Sequence, residues 1–353
     1  MKILIAGSSW QHPMYEAAWK RSLEQRGCEV VPFSSLPSSI NILSRLERKY
    51  SLPGVYAKRI QQNLLDLVLQ EEPDVVLIWI GAEIHSKTIH TIKMHSKAIV
   101  VNYIHDDPFA HRFHSLSPRS HAMFFRQFIK ALPLYDHVFF SKQINVEESR
   151  ALGCRSASVL PQYFVPEFHY RRTQDERDTL FKADVAFAGH FEPDGRDAYV
   201  NRIAHAGISV NIYGDSSWKQ ARLTAINSNL KLLPRANGDD YPRAISGAKI
   251  CLCFMSKMNR DDYTTRCFEI PALGSLLLSE RTTPLFNMYK EDEEAVFFSS
   301  EDELLQKVTH LIANPITLAA IAKKGHDRVV SSGHSVDDRA DVFLKVVRNI
   351  TNY

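Results

Sequence analysis

Short apolar segments alternate with longer segments of helical periodicity along the first half of the chain. One of the short apolar segments, residues 74–80 (Asp-Val-Val-Leu-Ile-Trp-Ile), is apolar on both faces, which is typical of a central strand in a parallel sheet. Helical periodicity covers residues 12–26 and 41–70, and the second stretch is interrupted at Pro53-Gly54. Strands are predicted at residues 2–7, 29–33, 74–80, 99–104, 136–141 and 157–160. This alternation predicts a parallel sheet covered by helices on both faces.

A charged segment with few apolar residues, 165–182, interrupts the alternation, which then begins again. Strands are predicted at residues 184–188, 209–213, 249–254 and 275–278, and helices at 197–206, 265–273, 301–313, 316–331 and 336–349. We therefore expect an α/β protein with two Rossmann-like, doubly wound domains facing a cleft. The N-terminal domain is expected to span residues 1–170 and the C-terminal domain residues 171–335. A terminal helix within residues 336–353 can pack back on the N-terminal domain.

The composition is that of a soluble globular protein, since 44% of the 353 residues are hydrophobic and 24% are charged. No stretch approaches the roughly 18 apolar residues that span a bilayer, and the N-terminus lacks a signal-peptide pattern, so a cytoplasmic protein is expected. The net charge of +3 is small and no basic aromatic stripe is present, which argues against nucleic-acid binding. Two basic, partly apolar stretches, 42–59 and 112–130, are compatible with peripheral contact to the inner face of a membrane or with ordinary amphipathic helices.

The five cysteines are odd in number and scattered along the chain, which does not indicate a disulfide framework. Cys251 and Cys253 share one face of a predicted strand, where small buried hydrophobic residues are expected. The sequence shows no CxxC, HxxxH or Asp-x-Asp pattern, so no metal site is expected.

In doubly wound sheets, ligands bind at the carboxyl ends of the strands, where backbone N–H groups of the following helices converge. In the second half, the segment from Arg266 to Glu280 (Arg-Cys-Phe-Glu-Ile-Pro-Ala-Leu-Gly-Ser-Leu-Leu-Leu-Ser-Glu) follows such a strand. Thr264 can cap a short helix whose free N–H groups suit a diphosphate. Glu269, about one turn further on, can accept two hydroxyl protons from a ribose diol, and Arg266 can pair with a phosphate.

This segment resembles the donor-site signature of GT-B glycosyltransferases, in which a Glu precedes Ala-x-Ala-x-Gly and a strand. More closely, it resembles the CgeB-like (spore maturation protein) glycosyltransferase group, which shows Arg-x-x-Glu-x-x-Ala-x-Gly followed by an apolar strand and a Glu. The segments Asp184-Val-Ala-Phe-Ala-Gly189 and Tyr135-Asp-His-Val-Phe139 resemble the same group, so the likeness extends over most of the chain. It implies transfer of a sugar from a nucleotide- or diphosphate-linked donor to a glycan, lipid-linked or protein hydroxyl, with no cofactor and no metal.

The resemblance also implies roles for individual residues of the C-terminal domain. Glu269 matches the glutamate that holds the nucleotide ribose, and Asp261 stands eight positions earlier, where many of these enzymes carry a second acidic residue near the transferred sugar. The Arg-x-x-x-x-Lys pair that often binds the diphosphate is missing, which leaves other cations for that task. With Glu269, the predicted donor-binding residues are Gly189, Arg196, Tyr213, Gly214, Thr265 and Arg266.

The first half offers candidates for catalysis and acceptor binding. The run His105-Asp106-Asp107-Pro108 follows a predicted strand, and a carboxylate there can remove the acceptor's hydroxyl proton. We therefore predict Asp106 and Asp107 as catalytic residues. Asp261, which the resemblance places near the transferred sugar, is the third predicted catalytic residue. Equally, Asp106 can cap the next helix while Asp107-Pro108 forms a turn. His105 and His12, the second of which follows the first strand, are predicted acceptor contacts.

Two other functions are compatible with the same architecture. A nucleotide-sugar epimerase would bind a nucleotide sugar and need no acceptor, and a non-catalytic sugar-nucleotide binding protein would need Glu269 but neither Asp106 nor Asp107. A dinucleotide-dependent enzyme is disfavoured because Gly7-Ser-Ser-Trp10 lacks the GxGxxG pattern after the first strand. The nucleotide, the sugar, the acceptor, the oligomeric state and the choice between retention and inversion stay open. A phosphoribosyl-type diphosphate is an alternative donor.

Overall fold

The computed structural model describes residues 1–8, 10, 12, 14–36, 42–50, 52, 54–110, 119–171, 181–224 and 229–351. The chain divides into two compact units. The first unit consists of Met1–Gln162, Met258–Arg260 and Val336–Tyr353, and the second of Tyr163–Lys257 and Asp261–Ser335. The chain thus passes from the first unit to the second after Gln162. The boundary predicted from the sequence is later, after residue 170.

The first unit is built around a parallel sheet. Its strands among the described residues are β1 (Lys2–Gly7), β2 (Glu29–Ser34), β3 (Val75–Trp79), β4 (Ile99–Ile104), β5 (His137–Phe140) and β6 (Ala157–Val159). They lie in the order β2-β1-β3-β4-β5-β6, and each pairs with its neighbours in parallel. All five residues of β3 are buried, because helices cover both faces of this central strand. The structure confirms the predicted parallel α/β sheet.

Helices cover this sheet. They are α1 (Glu16–Gln25), α2 (Ile42–Tyr50), α3 (Val55–Glu71), α4 (Ser86–His95), α5 (Arg119–Phe124), α6 (Arg126–Ala131), α7 (Gln143–Ala151) and the C-terminal helix α14 (Val336–Thr351). Helix α14 packs against α1, where the Trp19 and Phe343 rings meet edge-on with centroids 5.4 Å apart. Arg26 pairs with Asp337 and Asp341 at 3.1 and 2.6 Å. The last helix therefore belongs to the first unit.

The second unit repeats the architecture. Its strands among the described residues are β7 (Ala183–Ala188), β8 (Val210–Gly214), β9 (Leu230–Pro234), β10 (Ala248–Cys253), β11 (Leu276–Glu280) and β12 (Val296–Phe298), in the order β12-β11-β10-β7-β8-β9. Its helices are α8 (Arg196–His205), α9 (Asp240–Gly247), α10 (Arg266–Ala272), α11 (Thr283–Met288), α12 (Glu301–Ala313) and α13 (Pro315–Ser331). The strands pair in parallel, as predicted. Strands β9 and β12 were not predicted from the sequence.

Side chains of β10 alternate between two apolar cores, one on each face of the second sheet. Ile250 and Leu252 pack into one core, and Cys251 and Cys253 into the other. Both cysteines are fully buried, as expected for small hydrophobic residues in a strand.

Exposed apolar side chains stand at the starts of α2 and α3. Ile42 and Val55 are 75% and 82% exposed, and both lie within the stretch 42–59 in which the sequence allows a membrane contact. Of the other such stretch, residues 112–118 lie outside the described residues. Within the described part of the chain, no helix is both long and apolar enough to cross a bilayer.

His137, the first residue of β5, lies between two serine hydroxyls. Its Nδ1 is 2.8 Å from Ser156 Oγ and its Nε2 is 2.9 Å from Ser158 Oγ. Burial lowers the pKa of His137 from 6.5 to about 4. Since the unfolded chain then binds this proton more readily than the folded one, we expect about 3 kcal/mol of stability to be lost as the pH falls from 6.5 towards 4. Urea unfolding of the wild type and His137→Asn at pH 7 and pH 4 measures this loss. Equal pH dependence in both proteins would contradict the assignment.

Candidate functional site

Helix α10 begins directly after the loop that follows β10. Thr264 Oγ1 accepts a hydrogen bond from the Arg266 backbone N–H at 3.2 Å, which caps the start of the helix. Thr265 is the N-cap residue, and its side chain makes no capping bond. At the other end Gly274 has φ of +78°, the left-handed conformation that suits glycine after a helix. Both ends of this seven-residue helix are therefore held in place, and Glu269 is buried in its first turn.

The Glu269 carboxylate is buried, with only 5% of the residue exposed. Its Oε2 accepts a hydrogen bond from the Tyr241 hydroxyl at 2.5 Å, and its Oε1 lies 3.7 Å from Nε2 of His169. His169 is itself 2% exposed, and its Nδ1 accepts the Val165 N–H at 3.0 Å. Two side chains from other segments therefore enclose the carboxylate that the sequence singles out.

The charges of these groups follow from burial. Burial lowers the pKa of His169, and the nearby Glu269 opposes that shift only in part, so the imidazole is neutral at neutral pH. Burial is also the main reason that the pKa of Tyr241 is raised well above 10, with Glu269 adding to the effect. The phenol therefore stays protonated and donates to the carboxylate.

Arg266 joins α10 to the end of β7. Its Nε donates to the Ala188 carbonyl at 2.5 Å, beside Gly189. The Gly189 carbonyl in turn accepts the Trp218 Nε1–H at 2.9 Å. Glycine is required at position 214 for close packing, because a Cβ there would stand 2.2 Å from the Trp218 ring. The structure thus brings together Arg266, Gly189 and Gly214 at the carboxyl ends of β7 and β8.

Gly189 itself does not adopt a positive φ. A Cβ at this position would instead stand 2.8 Å from the Phe187 ring. Tyr213, another predicted donor contact, is 2% exposed and packs against Phe181 in the core. Its hydroxyl lies 3.3 Å from Asn211 Nδ2. Close packing inside the second unit therefore accounts for both residues.

Arg196 is occupied by its own loop. Its Nε and Nη2 donate to the two oxygens of Asp194 at 2.8 and 2.6 Å, and Nη1 donates to the His190 carbonyl at 2.7 Å. The residue is 4% exposed, and its guanidinium lies over the Phe187 ring. These contacts hold the loop between β7 and α8, and they leave this guanidinium engaged inside the second unit rather than presented to a phosphate.

In the first unit, Asp107 lies in a buried ionic network. It is fully buried, and its Oδ1 accepts from the Phe109 backbone N–H and from Asn145 Nδ2 at 2.9 and 2.8 Å. Arg260 donates to both of its oxygens at 2.5 and 3.0 Å, and forms a second two-bond pair with Glu148 at 2.7 Å. Because its oxygens are engaged in this way, Asp107 anchors the segment Met258–Arg260 to the first unit and is not placed to take a proton from an acceptor.

Asp106 differs from its neighbour, since it is half-buried at the carboxyl end of β4. The adjacent His105 ring stacks on Tyr15, with centroids 5.7 Å apart and planes 5° from parallel. Tyr15 also meets the exposed His12 ring edge-on at 5.8 Å. The structure therefore brings both predicted acceptor contacts to one aromatic group beside Asp106.

Asp261, the third predicted catalytic residue, belongs to the second unit. It is half-buried, and its backbone N–H donates to the Ser256 carbonyl at 2.9 Å. Within the described residues, no cluster of three or more His, Cys, Asp or Glu side chains is arranged to hold a metal ion.

Sequence reasoning did not find His169 and Tyr241. His169 stands in the charged segment that the sequence marks only as a domain boundary. Tyr241 belongs to α9, which was not predicted because Pro242 follows it and Gly247 ends a helix of only eight residues. The local sequence offered no clear signal, because His169 is flanked by the aromatic residues Phe168 and Tyr170 and neither His169 nor Tyr241 belongs to a motif.

Comparisons with known proteins bear on the fold of the chain and on one family match. Residues 196–345 match the family model described as "Glycosyl transferase-like". The whole chain superposes on sucrose-phosphate synthase from Thermosynechococcus elongatus with a TM-score of 0.75 and 10% identity, covering 100% of both chains. The chain has the GT-B fold. The HepE protein of Anabaena, solved in complex with UDP-glucose, has a TM-score of 0.69 and 13% identity over 99% of this chain and 100% of its own.

A solved structure named for a different reaction is similar too. A putative UDP-N-acetylglucosamine 2-epimerase from Listeria monocytogenes has a TM-score of 0.60 and 10% identity over 99% of this chain and 96% of its own. No curated protein matches the chain by sequence. At such low identities the structural likeness establishes the fold alone, and the match to the glycosyl transferase-like family model is confined to residues 196–345.

Proposed function

We propose that this GT-B protein is a glycosyltransferase that moves a sugar from a nucleoside diphosphate donor to a hydroxyl of a glycan or lipid-linked acceptor. One observation carries the proposal: within the glycosyl transferase-like domain, the buried carboxylate of Glu269 is held on a short helix after β10. A carboxylate in such a place accepts hydroxyl protons strongly, because water does not compete for it. The CgeB-like resemblance supports the same function, and the likeness to UDP-binding HepE makes UDP the first donor to test.

In the proposed reaction, an acceptor hydroxyl loses its proton to Asp106 and its oxygen bonds to C1 of the donor sugar. The bond between C1 and the phosphate oxygen breaks, and the nucleoside diphosphate leaves. Arg266, half-buried at the start of α10, is the cation proposed to offset charge on that leaving group. Asp261 is proposed to contact the transferred sugar, and His12 and His105 the acceptor. The reaction uses no cofactor.

A thermal-shift screen tests the donor site. The ligands are nucleoside mono- and diphosphates, UDP-glucose and other nucleotide sugars, and phosphoribosyl diphosphate. A ligand at 100 times its Kd should stabilise the wild type by about 2.7 kcal/mol. We expect one nucleotide series to raise the Tm of the wild type, and Glu269→Gln to remove that rise. As a control, Glu293→Gln changes a carboxylate of the same unit that is 56% exposed, and it should respond like the wild type. If no nucleotide or diphosphate stabilises the wild type, the proposal fails.

An epimerase is the second candidate, favoured by the likeness to the Listeria protein. It would invert one carbon of the sugar in a nucleotide sugar, with no acceptor and no net release of the nucleoside diphosphate. Analysis of the products after incubation with a stabilising nucleotide sugar separates the two functions. Free nucleoside diphosphate supports the transferase, and a nucleotide sugar of inverted configuration supports the epimerase.

A further inference from the structure

Helix α2 turns its polar side towards the protein and its apolar side outwards. Ser44 is the one buried residue among the nine of α2, and Arg48, one turn later on the same side, donates to Glu83 Oε1 at 2.5 Å. The large apolar side chains of α2 are instead between 43% and 75% exposed, namely Ile42, Leu43 and Leu46. An ordinary surface helix does the reverse, because it buries its apolar side in the core.

Hydrogen bonds fix α2 in this orientation at the carboxyl edge of the first sheet. Glu83, which follows β3, accepts from Arg48 and also from Ser35 Oγ at 2.5 Å, and Ser35 directly follows β2. Glu47 Oε2 accepts the Ala57 backbone N–H at 2.9 Å, which joins α2 to the start of α3. Turning the helix to bury its apolar side would break these bonds, so the apolar side stays in contact with the surroundings of the protein.

Basic side chains accompany the exposed apolar ones. Residues 42–59 contain five Lys or Arg and a single acidic residue, Glu47, whose carboxylate is bound to the start of α3. The exposed ionic side chains of this stretch are all cations, namely Arg45, Lys49, Lys58 and Arg59. None of the four forms an ion pair with another residue that the structure describes. Their charge is therefore available to an anionic partner.

An anionic bilayer matches both properties of this surface. Lipid phosphates attract each Lys or Arg that lies near the membrane surface. The apolar side of a helix that lies flat in the interface enters the boundary between head groups and acyl chains. A second copy of the chain matches less well, because two copies that met through this face would bring their unpaired cations together.

We propose that the exposed side of α2 and the start of α3 form a docking face that holds the first unit on an anionic phospholipid surface. Ile42, Leu46 and Val55, which is exposed at the first position of α3, enter the interface between head groups and acyl chains. Lys49 and Lys58 are among the cations that contact lipid phosphates. The docking goes beyond the proposed function and does not depend on it.

Sedimentation of the full chain with lipid vesicles tests the docking. Vesicles of phosphatidylcholine alone are compared with vesicles of two parts phosphatidylcholine to one part phosphatidylglycerol. We expect the wild type to bind the mixed vesicles about 10-fold or more tightly than the neutral ones. Added salt should weaken that binding, because it screens the attraction between the cations and the lipid phosphates.

Two double variants separate the apolar contribution from the ionic one. Ile42→Ser with Leu46→Ser removes apolar area from the docking face, and Lys49→Gln with Lys58→Gln removes two charges from it. Each should weaken binding to the mixed vesicles by about 10-fold or more. Their Tm should stay near that of the wild type, since all four side chains are exposed.

Matched controls change the same residue types elsewhere. Ile316→Ser removes an apolar side chain that is 87% exposed in the second unit. Lys97→Gln with Lys345→Gln removes two exposed charges from other parts of the first unit. Both controls should bind the vesicles like the wild type.

A fluorescent label on α2 shows whether this face enters the lipid. The five native cysteines are all buried, so an NBD label attaches selectively to Leu46→Cys or, as a control, to Ile316→Cys. With the mixed vesicles, the emission of the label at position 46 should rise and shift to shorter wavelength, because its surroundings become apolar. The label at position 316 should not respond.

The docking is overturned if the wild type does not bind the mixed vesicles, or if it binds them equally well in both double variants of the docking face. Unchanged emission at position 46 in the bound protein overturns it too. If the wild type ignores the vesicles but forms a dimer that Ile42→Ser with Leu46→Ser dissociates, a second copy covers this face and the proposal is wrong. The thermal-shift screen with nucleotides is independent of these results, so failure of the docking leaves the proposed function standing.

Discussion

Replacing Asp107 by alanine is expected to destabilise the protein by about 3–5 kcal/mol, because the change removes one partner from a buried ion pair. Arg260, which is 15% exposed at its side chain, would keep Glu148 but lose both bonds to Asp107. The Phe109 N–H and Asn145 Nδ2 would lose the acceptor that they share. Urea denaturation monitored by circular dichroism measures the loss.

A double-mutant cycle provides the control for Asp107. Arg260→Met removes the charge but keeps much of the aliphatic stem, and the pair Asp107→Ala with Arg260→Met leaves neither charge unpaired at this contact. We expect the double variant to be more stable than the sum of the single changes implies, by about 1–3 kcal/mol. If Asp107→Ala unfolds at the wild-type urea concentration and only turnover is lost, then Asp107 is catalytic and the structural role assigned to it is wrong.

The two sheets could be predicted from the sequence because buried parallel strands are nearly continuous apolar runs. Residues 74–80 and 99–104 are examples, and β3 and β4 lie within these bounds. Strand β9 (Leu230–Pro234) was missed because it is an edge strand with only its first residue fully buried, so its sequence lacks such a run. An edge position is a property of the whole sheet, and local periodicity does not encode it.

The site was predictable only where local pattern sufficed. Glu269 could be found because the helix start, the glycine after it and the next strand all lie within 20 residues of the chain. The sequence could not distinguish the role of Asp106 from that of Asp107. The ion-pair partner of Asp107 is Arg260, which lies 153 positions further along the chain. His169 was missed for the same reason. Only the folded unit brings it to Glu269.

Because Asp107 is held in a buried ion pair and Asp106 is not fully buried, a substitution of Asp106 tests catalysis more directly. Asp106 is half-buried and next to the His105–Tyr15 stack, whereas Asp107 is fully buried. We expect Asp106→Asn to lower kcat about 100-fold or more, because an amide cannot take the acceptor proton. Donor Kd and Tm should stay near the wild-type values, since the amide has almost the same shape. The measurement is the rate of nucleoside diphosphate release from whichever nucleotide sugar stabilises the wild type, with candidate glycan and lipid-linked acceptors present.

Asp261→Asn is the matched control for Asp106, because it changes a half-buried carboxylate that is proposed to contact the sugar and not to take the proton. Loss of a contact to the sugar alone should affect donor binding and kcat together, whereas loss of the base should affect kcat alone. If Asp106→Asn retains full turnover while Asp261→Asn loses it with unchanged donor affinity, the base belongs to the second unit. In that case the stretch His105–Asp107 would serve only to bind the acceptor and to stabilise the first unit.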